Sequence, residues 1–275
     1  ERKENKNDLY LALSQDESAQ KQINKYPTAD SHFKGVKIAG QYLLNYSDEY
    51  LRNEGQFFKR RGLDVILDLS GLVNNYPDWS ILDLVMERYA KTLKQFEECL
   101  DKAALYGCNK VIMTLQTHAE TGYTIEQETQ SVVRTLFYMA DECKKRKIKL
   151  YLQNAQPHRY CATFNQITEL IKKEKLRNIR QVYNVSHAII SGEYKSFEEF
   201  FGIAEGIMLS SPLRSLIGYN TDMHLPFAGS QYETEIIDLI KKYTENNSGF
   251  IVLDVDYTNW NEIWLDLKKL KSDDL

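Results

Sequence analysis

Short apolar runs in this 275-residue chain end in side chains able to do chemistry: Asp68, Gln153 with Asn154, Asn184 with His187, and Asp254 with Asp256. His224 follows on a later loop. Carboxylates and imidazoles move protons near neutral pH. Gln and Asn amides donate and accept hydrogen bonds without carrying charge. Tyr123, Tyr219, Tyr257 and Trp260 lie near the same run ends and could stack on a ring face. His118 with Glu120 forms a weaker pair. Each residue also has a plainer reading. His187 would be a core histidine bonded to backbone, and His224 a solvated loop residue. Asp68 would cap a helix or pair with a lysine, and Asp254 with Asp256 would form a structural pair on a rim.

The elements that must position these groups follow from periodicity. Eight strand candidates cover Leu9–Ser14, Val36–Gly40, Asp64–Leu69, Lys110–Leu115, Ile148–Asn154, Gln181–Val185, Ile207–Ser210 and Phe250–Tyr257. Helix-length segments such as Ile81–Tyr106 and Glu126–Lys145 separate most of them. Regular alternation of this kind predicts βαβ units, and eight units in this length predict a single (β/α)8 TIM barrel, an α/β fold. Residues 1–275 are read as one domain, with 1–34 an irregular first unit. Four capping boxes are expected to start helices: Thr124/Gln127, Thr163/Gln166, Ser196/Glu199 and Ser230/Glu233. Gly62, Gly107 and Gly249 each precede a strand, where a helix must turn back.

Side-chain alternation then assigns faces. On the last strand Ile251, Leu253 and Val255 are apolar and should meet helices, which turns Val252, Asp254 and Asp256 toward the barrel mouth. The same parity turns Tyr151, Gln153, Val182 and Asn184 inward.

Bulk composition excludes several classes. Net charge is −4 and basic residues are dispersed, so no nucleic-acid stripe is expected. No apolar run reaches membrane-spanning length. Cys99, Cys108, Cys143 and Cys161 form no CxxC pair and read as buried free thiols. No Walker loop or GxGxxG occurs. The chain starts at Glu1 rather than Met, which leaves room for a removed signal peptide, tag or upstream domain. Its compartment, cytoplasmic or exported, and its oligomeric state stay open.

Five stretches in order resemble the xylose isomerase-like TIM barrels, which include sugar (phosphate) isomerases, epimerases and endonuclease-IV-like proteins. Lys149-Leu-Tyr-Leu-Gln-Asn154 is similar to their fifth strand, and Val182-Tyr-Asn-Val-Ser-His187 to the Asp-x-x-His of the sixth. Gly206-Ile-Met-Leu-Ser-Ser211, His224-Leu-Pro-Phe-Ala-Gly229 and Phe250-Ile-Val-Leu-Asp254 resemble the seventh strand, its following loop and the last strand. The resemblance implies a metal held by Glu, Asp, His and Glu at positions occupied here by Gln153, Asn184, Met208 or Ser210, and Asp254. Amide oxygens bring no charge to a hard cation, so no metal ligand is assigned and no cofactor is expected beyond a weakly held divalent ion. Gln153 also cannot shuttle a proton.

These readings imply a divergent isomerase- or epimerase-like protein that binds a sugar or polyol, with metal-dependent isomerisation lost or altered. Gln153, Asn184, Asn154, His224, Asp68 and Trp260 would bind the ligand, and Asp254, Asp256 and His187 would supply any catalytic group. The lack of an Arg/Lys cluster near the strand ends weakly disfavours a phosphorylated substrate, though Arg214 on the seventh-strand loop could bind one. Two alternatives stay open. One is an active enzyme with a relocated acid/base or metal centre acting as isomerase, lyase or on glycosides. The other is a non-catalytic module of a larger protein.

Overall fold

A computed structural model of the chain describes residues 7–26, 29–116, 122–155, 162–200, 202–214 and 220–271. Its strands are β1 Asp8–Ala12, β2 Gly35–Ala39, β3 Asp64–Asp68, β4 Lys110–Met113, β5 Lys149–Gln153, β6 Ile179–Asn184, β7 Ala204–Leu209, β8 Ser211–Arg214, β9 Asn220–Leu225 and β10 Phe250–Leu253. The helices are α1 Ala19–Asn24, α2 Ala29–His32, α3 Gly40–Leu44, α4 Asp48–Arg60, α5 Leu72–Asn75, α6 Met86–Tyr106, α7 Ile125–Lys145, α8 Phe164–Glu174, α9 Val185–Ser191, α10 Glu233–Asn246 and α11 Trp260–Lys271. A 3-10 segment, Glu193–Phe200, follows α9.

Eight parallel strands close in the order β1-β10-β7-β6-β5-β4-β3-β2, a (β/α)8 TIM barrel. All eight strand candidates of the sequence fall on these strands. The other two strands, β8 and β9, pair antiparallel as a hairpin inserted after β7. Sequence periodicity read that stretch as loop. Pro212 and the polar run Asn220–Asp222 interrupt any apolar alternation, so the hairpin left no period to detect.

Tyr10, Ile66, Ile112, Tyr151, Val182, Met208, Phe250 and Val252 fill the barrel interior as a separate apolar cluster. Gly206, facing Phe250, has no room for a methyl: a Cβ there would lie 2.5 Å from the ring. The Phe250 ring meets Tyr10 and Tyr151 edge-on at 5.8 and 5.4 Å. The outward set, including Val65, Leu67, Leu150, Leu152, Ile251 and Leu253, joins the larger core under the helices.

Two residues beyond five of these eight interior side chains, the inward position is polar and lines a cavity. Ile66 gives way to Asp68, Ile112 to Thr114, Tyr151 to Gln153, Val182 to Asn184, and Val252 to Asp254, and each of these polar residues lines one cavity. Period-two geometry therefore converts a hydrophobic plug into a polar mouth within one step of the strands.

Of the expected capping boxes, Thr124/Gln127 and Thr163/Gln166 form as read. Ser196 instead lies inside the 3-10 segment, and α10 begins after Tyr232, whose N–H is accepted by the Ser230 hydroxyl. Gly107 ends α6 in the left-handed region at φ 88°. Cys99, Cys108 and Cys143 are buried free thiols, while Cys161 lies outside the described residues.

Candidate ligand site in the barrel mouth

A cavity of about 850 Å³ opens at the C-terminal ends of the strands, within the size range of roughly 300–1,000 Å³ usual for small-molecule sites. Among its lining residues is a lysine whose side chain is only 12% exposed. Lys37 extends inward from β2, and its Nζ lies 2.9 Å from Asp68 Oδ2 and 2.5 Å from Asp254 Oδ1. Burial alone would drive the lysine toward neutrality, but Asp254 and Asp68 outweigh it and hold its pKa well above the ordinary value. Burial likewise opposes ionisation of Asp254, yet Lys37 and His224 keep that carboxyl well below the usual range. Both partners shift in the direction of a charged pair.

A second cluster stands beside the first. The side chain of Asp222 on β9 is buried, and its Oδ2 lies 2.8 Å from His187 Nε2 and 3.6 Å from His224 Nε2. The Ser186 hydroxyl donates to its other oxygen at 2.8 Å. His187 Nδ1 faces the Asn154 carbonyl oxygen at 2.8 Å, so both of its ring nitrogens are directed at acceptors. His224 Nδ1 lies 3.0 Å from the Asp254 carbonyl oxygen and 3.5 Å from its Oδ2. Burial would lower the His224 pKa, but Asp254 and Asp222 push it up to about 10. Burial opposes ionisation of Asp222 too, and its hydrogen bond with His187 prevails and keeps its pKa low.

The amides complete the floor. Gln153 Nε2 donates to the Ser70 hydroxyl at 2.6 Å, and its Oε1 accepts from Asn184 Nδ2 at 3.2 Å. Asn184 is also the N-cap of α9, accepting the His187 N–H at 3.1 Å. Capping favours a short polar side chain there whether it is Asn or Asp.

Eight of the residues singled out in the sequence line this cavity: Asp68, Gln153, Asn184, His187, His224, Asp254, Asp256 and Tyr257. Asp256 is exposed at the rim rather than on the floor. The strand ends at Leu253, beyond which strict alternation no longer holds. Asn154 and Trp260 fall outside the cavity lining, contrary to a ligand-contacting role. Asn154 bridges β5 to β6 through the backbone of Asn184, donating to its carbonyl oxygen and accepting its N–H at 2.9 and 2.7 Å. Trp260 stacks on Tyr26 at 5.2 Å, and only Tyr26 reaches the cavity. Tyr257 lines the cavity, with its hydroxyl donated to Asp266 at 2.7 Å. Tyr123 and Arg214 stand apart from the lining. His118, Glu120 and Tyr219 lie outside the described residues.

Sequence reading missed Lys37 and Asp222. The signal for Lys37 was present: in Gly35-Val-Lys-Ile-Ala39 the charge occupies the position between two outward apolar residues. Asp222 belongs to the hairpin that periodicity did not reveal.

These residues do not fit a divalent cation. Gln153 and Asn184 bring neutral oxygens that already accept from Asn184 Nδ2 and the His187 N–H, Met208 belongs to the apolar interior, and Ser210 offers only a hydroxyl. The carboxylates of Asp68 and Asp254 are taken by an ammonium. Among the described residues, no group of three or more His, Cys, Asp or Glu is arranged to hold a metal ion.

An eight-stranded parallel barrel with its polar site at the C-terminal strand ends defines the architectural class, and the sequence supports a narrower assignment. A family model described as Xylose isomerase-like TIM barrel matches residues 28–243, and the chain belongs to that family. Curated protein sequences offer no match. Solved structures similar to this one include a D-tagatose 3-epimerase-like protein, at 15% identity over 96% of each chain with TM-score 0.73. Another is 3-keto-D-glucoside 4-epimerase from E. coli, at 13% identity over 95% of this chain and 97% of that one, TM-score 0.68. A third is IOLI protein with a bound zinc atom, at 15% identity over 96% of this chain and 95% of that one, TM-score 0.69. Identities this low establish the shared fold. Among the described residues, no helix is long and apolar enough to cross a membrane.

Proposed function

We propose that this chain is an isomerase/epimerase-like barrel that binds a neutral sugar or polyol in its mouth, and that the family's metal-dependent isomerisation is lost or altered here. The observation that carries this reading is the composition of the cavity. The carboxylates of its floor, Asp68, Asp222 and Asp254, are already engaged by Lys37, His187 and His224, while amides and hydroxyls such as Gln41, Asn74, Asn75, Thr114 and Gln116 make up much of the remaining lining. Such groups exchange hydrogen bonds with hydroxyls and offer little to an anion. The similar structures include a 3-keto-D-glucoside 4-epimerase and a D-tagatose 3-epimerase-like protein, which supports the ligand class. Dispersed basic residues argue against a nucleic-acid substrate.

Calorimetric titration with a panel of ketoses, aldoses and polyols tests the reading. One member should bind with a Kd near or below about 1 mM, and Gln153→Leu should weaken it about tenfold, one lost hydrogen bond. Absence of binding by every member at about 10 mM would remove the proposal.

A second reading, an enzyme with a relocated acid/base centre, draws on His224, whose side chain is 38% exposed between two carboxylates. Turnover of any sugar that disappears in both Asp254→Asn and His224→Gln would favour it over simple binding.

A further inference from the structure

We propose that the Lys37 ammonium is the resident cation of this mouth, standing in for the divalent ion that other xylose isomerase-like barrels hold with carboxylates. Two carboxylates from opposite flanks of β2 converge on one point. Asp68 ends β3, next to β2, whereas Asp254 follows β10, which lies beyond β1. To reach Asp254 the lysine must lean across β1. The β1 residue in register with Lys37 is Ala12, whose methyl group leaves that path open. Nζ then sits 2.9 and 2.5 Å from the two acids, an arrangement that uses both as ligands of a single positive centre. A divalent ion at this point would have to displace the ammonium from both partners, and a neighbouring position would set it against the lysine's charge.

An ammonium has three N–H groups. Two are directed at Asp68 and Asp254, and the side chain borders the cavity. The third is therefore available to a ligand oxygen. Only this last step rests on the sugar-binding reading. The substitution of metal by lysine stands on the geometry of the protein alone.

Manganese(II) alone is the probe, with thermal unfolding and electron paramagnetic resonance as readouts on the full chain. The wild-type melting temperature should move by less than about 1 °C with about 1 mM Mn²⁺, and the spectrum of the free ion should persist. In Lys37→Met, Asp68 and Asp254 lose their cation. The same Mn²⁺ should then raise the melting temperature by about 5 °C or more, with loss of free-ion signal. Lys37→Arg keeps a cation and should remain insensitive to the ion. If Lys37→Met is unfolded without the ion, rescue of its transition by Mn²⁺ is the expected result. Tight Mn²⁺ binding by the wild type, a folded Lys37→Met that ignores the ion, or a variant unfolded with and without it would each overturn the proposal. None of these results depends on sugar binding, so the calorimetric test of the sugar reading stands or fails separately.

Discussion

Removing Lys37 should be far more costly than removing one of its partners, and the two changes should compensate. The lysine and Asp254 side chains are 12% and 5% exposed, and Asp68 is 12% exposed. Lys37→Met leaves two poorly hydrated carboxylates facing each other without the ammonium between them, and only Asp254 keeps another cation, His224, at 3.5 Å. Breaking a buried pair in this way costs about 3–5 kcal/mol, a large share of a typical domain stability of about 5–15 kcal/mol. Asp254→Asn is milder, about 2 kcal/mol, because Lys37 keeps Asp68 and the amide keeps the shape. The double variant leaves a single acid, Asp68, which still accepts the Ser70 N–H at 2.9 Å. Its destabilisation should therefore fall short of the sum of the singles by at least ~1.5 kcal/mol. Urea unfolding of the four proteins at neutral pH measures the cycle. Additivity within about 0.5 kcal/mol would show that Lys37 and Asp254 are not coupled and would refute the ion-pair account of the mouth.

Asp266 makes a pH-dependent prediction. It is fully buried on α11, accepts the Tyr257 hydroxyl and the Ala228 N–H at 2.7 Å each, and burial lifts its pKa from 3.8 to about 6. A carboxyl raised on folding takes up protons as pH falls through the folded value, so it adds stability on acidification, down to the unfolded value. Between about pH 7.5 and 5 the wild type should gain about 1.4 kcal/mol relative to Asp266→Asn in urea unfolding; parallel profiles would contradict this. Gly55 predicts a loss where helix propensity predicts a gain. Ala is favoured over Gly inside a helix by about 1 kcal/mol, but a Cβ at Gly55 of α4 would lie 2.4 Å from the Tyr106 carbonyl oxygen at the end of α6. Gly55→Ala should lower stability by about 1–3 kcal/mol, read as a reduced denaturation midpoint.

Much of the barrel was legible because both faces of each strand are buried in different company. Outward positions such as Leu150, Leu152 and Ile251 must be apolar to meet helices, so any polar residue at the opposite parity near a strand end has to face the mouth. That argument placed Asp68, Gln153, Asn184 and Asp254 correctly. It weakened where regular strand geometry stops, which is why Asp256 lies on the rim. It also failed for the hairpin, whose pairing depends on a partner strand rather than on its own period, and Asp222 was lost with it. Trp260 was misplaced for a different reason. An aromatic near a strand end can find a ring partner in another part of the chain, and Tyr26 comes from the irregular first unit.

The amides and the lysine are best understood as one trait. Three largely shielded carboxylates, Asp68, Asp222 and Asp254, face Lys37 and two imidazoles. Were Gln153 and Asn184 replaced by Glu and Asp while Lys37 remained, the floor would gain two negative charges with no further cation. Isolated charges of that kind are strongly disfavoured away from water. With a divalent ion in place of the lysine the same acids would be compensated. The carboxylate and amide versions of the floor therefore demand different cations. A lysine arriving on β2 removes the electrostatic reason for acids at 153 and 184, and amides at those positions leave a metal only the two carboxylates that the lysine already occupies. Each change makes the other tolerable, and reverting either one alone leaves a mouth whose charges no longer balance.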